Sequence, residues 1–136
     1  MKSLFRVPQR VHNAVILMAD LAVNCRSGAF VSLTEVAERQ GLSRSFLEEI
    51  IAPLKSAGLV KAKRGAYGGY VLSRESEKIT VREIIEAIEG PVMFVECLAA
   101  GHGCSLSGSC TSKRLWGRVQ GKVAEALEEM TLAELV

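Results

Sequence analysis

Cys97, Cys104 and Cys110 stand in VECLAAGHGCSLSGSC, a stretch rich in Gly, Ser and Ala. Residues of that kind bring little apolar surface, so ordering them costs entropy with little burial in return. Three thiols in such a setting are not core filler. Thiolates ligate iron and zinc, and free thiols oxidise to disulfides. Structural zinc sites usually pair ligands about two to four residues apart, and Cys97-x6-Cys104-x5-Cys110 contains no such pair. On the residues alone, iron–sulfur, zinc and thiol chemistry all stay open. Bonds from a metal to the thiols would supply the free energy that ordering this segment lacks. The fourth cysteine, Cys25, is isolated in sequence, where a free cysteine is most often inert packing.

The rest of the chain must position those thiols. Its 136 residues, 49% of them hydrophobic, fit one domain with a packed core. No apolar run reaches the length of about 18 residues that a membrane helix needs. The start, MKSLFRVPQRVHNAVILMADLAV, sets basic residues before an apolar stretch, as a signal peptide does. His12, Asn13 and Asp20 interrupt it, however, and an ordinary first helix in a cytoplasmic chain is the expectation. Disulfides rarely persist in that compartment, which favours metal or redox roles for the clustered thiols. Residues 1–64 carry ten Lys/Arg against five Asp/Glu, a net +5; residues 65–136 carry seven against ten, a net −3. A basic front half suits a polyanionic partner. No Ser-His-Asp set, phosphate loop or catalytic carboxylate pair stands out, so no enzyme is expected.

Val11, Val15, Met18 and Ala22 recur at helical spacing over 10–24. Ser32 with Glu35 is a capping box opening a short helix that ends near Gln40, and Gly41 suits the turn. Leu42 can point inward. Ser43 then caps a second helix with Phe46, Leu47, Ile50, Ile51 and Leu54 on its buried face. Pro53 should kink that helix or shift its end, and Gly58 terminates it. Two helices about a Gly turn are the helix-turn-helix pattern. Ser43, Arg44, Ser45 and Glu48 lie where such readers face the major groove. LVKAKRGAYGGYVLS reads as a tight hairpin with Lys61, Lys63 and Arg64 at its approach, which after a helix-turn-helix is a basic wing. Arg64 can lie on the backbone or enter a minor groove. Thr80 with Glu83 opens a further helix with Val81, Ile84, Ile85 and Ile88 in a stripe, closed by Gly90. A long helix follows from about Ser112 to Met130. Trp116, Val119, Val123, Ala126 and Met130 form its heptad seam, read as a pairing surface for a second copy. Thr131 with Glu134 predicts one more capped turn.

The reading is a mainly α protein: a winged helix-turn-helix with a small two-stranded wing and a long C-terminal dimerisation helix. Within one structural domain it assigns 1–90 to the DNA-binding region, 91–111 to the cysteine-rich loop and 112–136 to the dimerisation helix and tail.

Taken together, SLTEVAERQGLSRSFLEEIIAPLKSAGLVKAKRGAYGGYVLS, ITVREIIEAIEGP, the three cysteines of 97–110, and RLW followed by TLAELV resemble the Rrf-two family of bacterial transcription regulators over essentially the whole length. The resemblance implies a homodimer on double-stranded, pseudo-palindromic operator DNA, controlled by redox, nitric oxide or iron status. It further implies an iron–sulfur cluster, 2Fe–2S or 4Fe–4S, on Cys97, Cys104 and Cys110, and a minor-groove role for Arg64. IscR-type members place a His three residues after the last cysteine; here Lys113 stands there, and a protonated Lys does not ligate iron. NsrR-type members use a carboxylate near the start of the first helix of the other subunit, and His12 falls at the matching position. His12 is therefore the leading fourth-ligand candidate, supplied by the partner copy, and His102 the second. The alternative is a cluster-free winged-helix regulator using thiol oxidation, zinc or a small ligand.

Overall fold

In the computed structural model, residues 3–25, 28–98 and 110–136 are described. The helices are α1 (Gln9–Asn24), α2 (Leu33–Gln40), α3 (Arg44–Ser56), α4 (Val81–Glu89) and α5 (Thr111–Glu129). Strands β1 (Val60–Lys63) and β2 (Gly69–Leu72) lie between α3 and α4, and short 3-10 helices cover Ser76–Lys78, Glu96–Leu98 and Leu132–Leu135.

Local chemistry sets most of these boundaries. The Ser32 hydroxyl accepts from the Glu35 N–H while the Glu35 carboxylate accepts from the Ser32 N–H, so the capping box is reciprocal. Thr80 and Glu83 repeat it at α4. Ser43 caps α3 through the Phe46 N–H. The helix runs on through Pro53 to Ser56, so its end does not fall at the proline. The terminus is instead closed at Gly58, at φ +76°, where the Gly58 N–H donates to the Lys55 carbonyl and the Leu59 N–H to the Leu54 carbonyl. That paired closure satisfies carbonyls a simple stop would leave open.

Helices α1, α3 and α4 pack on one another around Leu17, Met18, Leu21, Leu47, Ile50, Leu54 and Ile84, all fully buried. Each such side chain contributes about 1.5–3 kcal/mol relative to exposure, which fixes the inner face of α3 and hence the direction of its outer one. The chain end returns to this core. Thr131 pairs with Thr80, the Val81 N–H donates to Met130 and the Leu132 N–H to Ile79, and Leu132 is fully buried. This strand-like pairing replaces the capping box read at Thr131: its hydroxyl caps nothing, and the turn that follows is 3-10.

One buried polar cluster was not read from the sequence. Asp20, fully covered on α1, accepts from Arg39 in two bonds of 2.8 and 3.1 Å, from Gln40 at 2.8 Å and from Asn24 at 3.3 Å. Burial alone would push its carboxyl up; the Arg39 and Gln40 bonds, the Arg39 charge and Asn24 outweigh it and hold the pKa below the ordinary carboxylate value. The cluster ties α1 to the end of α2. Arg39→Ala leaves a buried carboxylate without its cation and should lower urea-measured stability at neutral pH by about 2 kcal/mol. Because folding depresses this pKa, the contribution is full above the unfolded value near ~4 and fades as pH falls below it. The gap between wild type and variant should therefore narrow below about pH 4; a gap constant down to about pH 3 would contradict the assignment.

Candidate nucleic-acid interface and thiol site

The wing is built by β1 and β2, antiparallel in the register Val60 to Leu72, Lys61 to Val71, Ala62 to Tyr70 and Lys63 to Gly69. A third short piece joins it. Val31, just ahead of α2, exchanges two backbone bonds with Tyr70, at 2.9 and 2.7 Å. The hairpin is thus tied to the helix-turn-helix rather than hanging from it. Gly69 makes this approach feasible, and Gly68 the tight hairpin itself. A Cβ on Gly69, at φ +146°, would lie 2.4 Å from the Val31 carbonyl oxygen, and one on Gly68 would lie 2.2 Å from that of Lys63. At the base of the hairpin the Ser73 hydroxyl donates to the Gly58 carbonyl and the Ser73 N–H to that of Leu59.

Of the sequence-predicted contact residues, this arrangement brings Arg44, Glu48 and Lys63 to one cleft. Ser43, Arg44, Ser45 and Glu48 are exposed on the first turns of α3, over the buried Leu47 and Ile50. A cleft of about 240 Å³ between α3 and the wing is lined by Ser32, Arg44, Glu48, Lys63 and Gly68. The Ser43 hydroxyl is engaged as the cap and lies 3.0 Å from that of Ser45. Arg44 pairs with Glu48 one turn on, at 3.3 Å, with both side chains in water. Lys61, Lys63 and Arg64 are exposed and have no ion-pair partner among the described residues. The Lys63 ammonium sits 5.6 Å from the centre of the Phe30 ring, a cation–π contact. Tyr67, at the tip of the hairpin that GAYGG predicts, is 91% exposed.

The thiol site is described at its two ends. Cys97 lies in the Glu96–Leu98 turn, and Cys110 stands immediately before α5; both are free and half-buried. Cys104 and His102 lie outside the described residues. Among the described residues, no three His, Cys, Asp or Glu side chains gather closely enough to hold a metal ion. His12 is exposed on the first turn of α1, and its ring has no hydrogen-bond partner among those residues. Cys25 differs from the other two. It ends α1, its Sγ lies 3.6 Å from the Tyr70 carbonyl oxygen, and burial pushes its thiol pKa up, which disfavours the reactive thiolate.

Helix α5 packs on α4 and on the Cys97 turn, yet none of its 19 residues is buried. Trp116 does not share the outward seam read for it: it stacks on Phe94, ring centres 6.1 Å apart, and Phe5 approaches both rings. The open apolar stripe is Leu115, Val119 and Val123, flanked by Arg114, Arg118 and Lys122.

A family model described as Rrf2, iron-dependent transcriptional regulator, matches residues 7–136. The HTH-type transcriptional regulator IscR of Cronobacter sakazakii is 37% identical over 131 residues, spanning 96% of this chain and 80% of that protein. Among solved structures, CymR of B. subtilis, described as the global cysteine regulator, superposes with a TM-score of 0.78 at 34% identity, covering 96% of this chain and 95% of that one. IscR of T. potens superposes with a TM-score of 0.76 at 37% identity, covering 96% and 85%.

Gly69→Ala should drive Val31 and Tyr70 apart. Hydrogen exchange at those two amides should accelerate about tenfold or more, the equivalent of roughly 1.4 kcal/mol of local strain, with the α1 core amides little changed. Unaltered protection at Val31 and Tyr70 would contradict the close-approach argument.

Proposed function

From the premise that this chain belongs to the Rrf2 family of transcriptional regulators, we propose a homodimeric reader of a pseudo-palindromic duplex operator, with DNA binding controlled by an iron–sulfur cluster on Cys97, Cys104 and Cys110. As a transcriptional regulator the chain is not an enzyme. The observation carrying the DNA-reading part is the cleft that sets the exposed first turn of α3 beside a basic hairpin tied to the same fold. In this reading Arg44, Ser45 and Glu48 face base edges, while Ser43 holds the helix start that presents them. Lys61 and Lys63 meet phosphates, and Arg64 enters the minor groove.

The homodimer rests on α5. An apolar stripe of Leu115, Val119 and Val123 is left for a partner helix. Lys113, Arg114, Arg118 and Lys122 all precede Glu125, Glu128 and Glu129 along the helix, so its start is basic and its end acidic. That split suits a second copy laid antiparallel. Two reading heads would then engage half-sites about one helical turn apart, near ~34–36 Å.

The donor set fits the cluster in kind. Cys97 and Cys110 are free thiols with no hydrogen bond to the core among the described residues, unlike Cys25. When bound, a cluster supplies iron–thiolate bonds that change with its redox state, nitrosylation or loss. What the chain supplies is a rigid route outward. Cys110 heads α5, α5 packs on α4, and α4 packs on α1 and α3. His12, exposed near the start of α1, is proposed as the fourth ligand, reaching from the second copy, with His102 the second candidate. The chain is read as cytoplasmic; no described helix is long and apolar enough to cross a membrane.

Oxygen-free isolation should yield a coloured protein containing iron and acid-labile sulfide, with the colour lost in Cys97→Ala, Cys104→Ala and Cys110→Ala and kept in Cys25→Ala. A colourless wild type free of iron, or one loaded with zinc, would replace this reading with the cluster-free regulator. For the wing, Lys61→Ala and Lys63→Ala each remove two phosphate contacts per dimer and should each flatten the log–log salt dependence of duplex binding by about 1.8 units. Unchanged slopes in both variants would remove the wing lysines from the phosphate contacts.

A further inference from the structure

The backbone leading to Cys97 is held by side chains. After Gly90 closes α4, the N–H groups of Val92 and Phe94 have no carbonyl partner on the backbone among the described residues. Val92 donates to the Glu86 carboxylate at 3.4 Å, and Phe94 donates to the Gln120 side-chain oxygen at 3.1 Å. Glu86 also accepts from Arg82, which reaches across to Glu128 of α5 at 3.8 Å. The Phe94 ring lies on Trp116 with only 10° between the planes. One residue past Cys97, the Leu98 side chain faces Gly117, 3.8 Å from where a Cβ there would stand.

Trp116, Gly117 and Gln120 fall on one face of α5, at i, i+1 and i+4. A hydrogen bond and a ring stack at Phe94, with Leu98 facing Gly117, thus flank Cys97 on both sides and set its turn against α5. Cys110, the described thiol at the far end of the segment, is joined to α5 covalently, about two turns before Gly117. We infer that Gln120 is a positioning residue which, with Trp116, clamps the Cys97 turn to α5, so that both ends of the thiol segment ride on one helix. The role deepens the reading that these thiols act together, and it assigns α5 a second task beside pairing. A displacement of Cys97 or Cys110 is then delivered to α5 at two places, its head through Cys110 and its middle through Gln120.

The test uses the full chain, reduced and stripped of metal by chelator, and requires neither cluster nor DNA. Alkylation of each cysteine by iodoacetamide is timed by peptide mass spectrometry in wild type, Gln120→Leu and Gln120→Glu. Gln120→Leu keeps the side-chain bulk and deletes the acceptor; Gln120→Glu keeps an acceptor for the Phe94 N–H. Loss of one hydrogen bond predicts a rise of about five- to tenfold in the Cys97 rate in Gln120→Leu, with Cys25 and Cys110 within about twofold of wild type. Gln120→Glu should restore the wild-type rate. Trp116 is the only tryptophan, so its fluorescence should shift to the red in Gln120→Leu and not in Gln120→Glu, as Phe94 leaves its face. Phe94→Leu, which removes the stack from the other side, should reproduce the selective rise at Cys97. An unchanged Cys97 rate in Gln120→Leu and Phe94→Leu, or an equal rise at all three thiols, overturns the clamp. Iron content of the wild type decides the cluster reading separately, since neither result depends on the other.

Discussion

Over nineteen residues α5 buries no side chain, although Leu115, Val119 and Val123 run along one of its faces. A helix of that length gains most of its stability from packing an apolar stripe, not from intrinsic propensity. On its inner side it meets α4 and the Cys97 turn; the outer side is left for a second copy in the proposed dimer. The thiol turn, the proposed pairing face and the brace behind α3 all meet on this one helix. It begins at Cys110, receives the Cys97 turn at Trp116, Gly117 and Gln120, and leans on the helix that braces α3.

The reading head answers a different requirement, that two short elements keep a fixed relation to each other. A hairpin of four-residue strands is marginal by itself. Here it borrows order from the core through Val31 and through Ser73, and α3 borrows order by burying Leu47, Ile50 and Leu54 beneath its exposed first turn. The cluster of Asp20, Arg39, Gln40 and Asn24 locks α1 to α2 from the far side. Preorganised in this way, the surface loses little conformational entropy on meeting a duplex.

Sequence reading succeeded where the physics is local. Ser32 with Glu35 and Thr80 with Glu83 sit three residues apart, so their reciprocal bonds could be written down from spacing alone, and Gly41 and Gly58 closed helices for the same reason. The face of α3 followed from periodicity. What escaped was set by partners distant along the chain. Val31 joins the wing because of Tyr70, thirty-nine positions on. Thr131 gives up its capping role because Ile79 and Val81 offer its neighbours strand-like bonds. Trp116 fits the heptad by spacing, yet Phe94 claims its ring. Asp20 looked like an interruption of an apolar run until Arg39 supplied its counter-charge. At the thiol site the residue types and spacing were legible; which helix would carry them was not, because Gln120 declares nothing in sequence about the amide it accepts from.

The central claim is that the state of the thiol segment sets duplex affinity through α5. The most direct measurement takes one oxygen-free preparation, selects an operator from a random duplex library, and compares Kd for iron-loaded and iron-free protein at one salt concentration and one subunit concentration. Coupling of the usual strength predicts affinities that differ by about 5- to 150-fold. Equal affinities, with both forms dimeric and both wings ordered, would contradict the account.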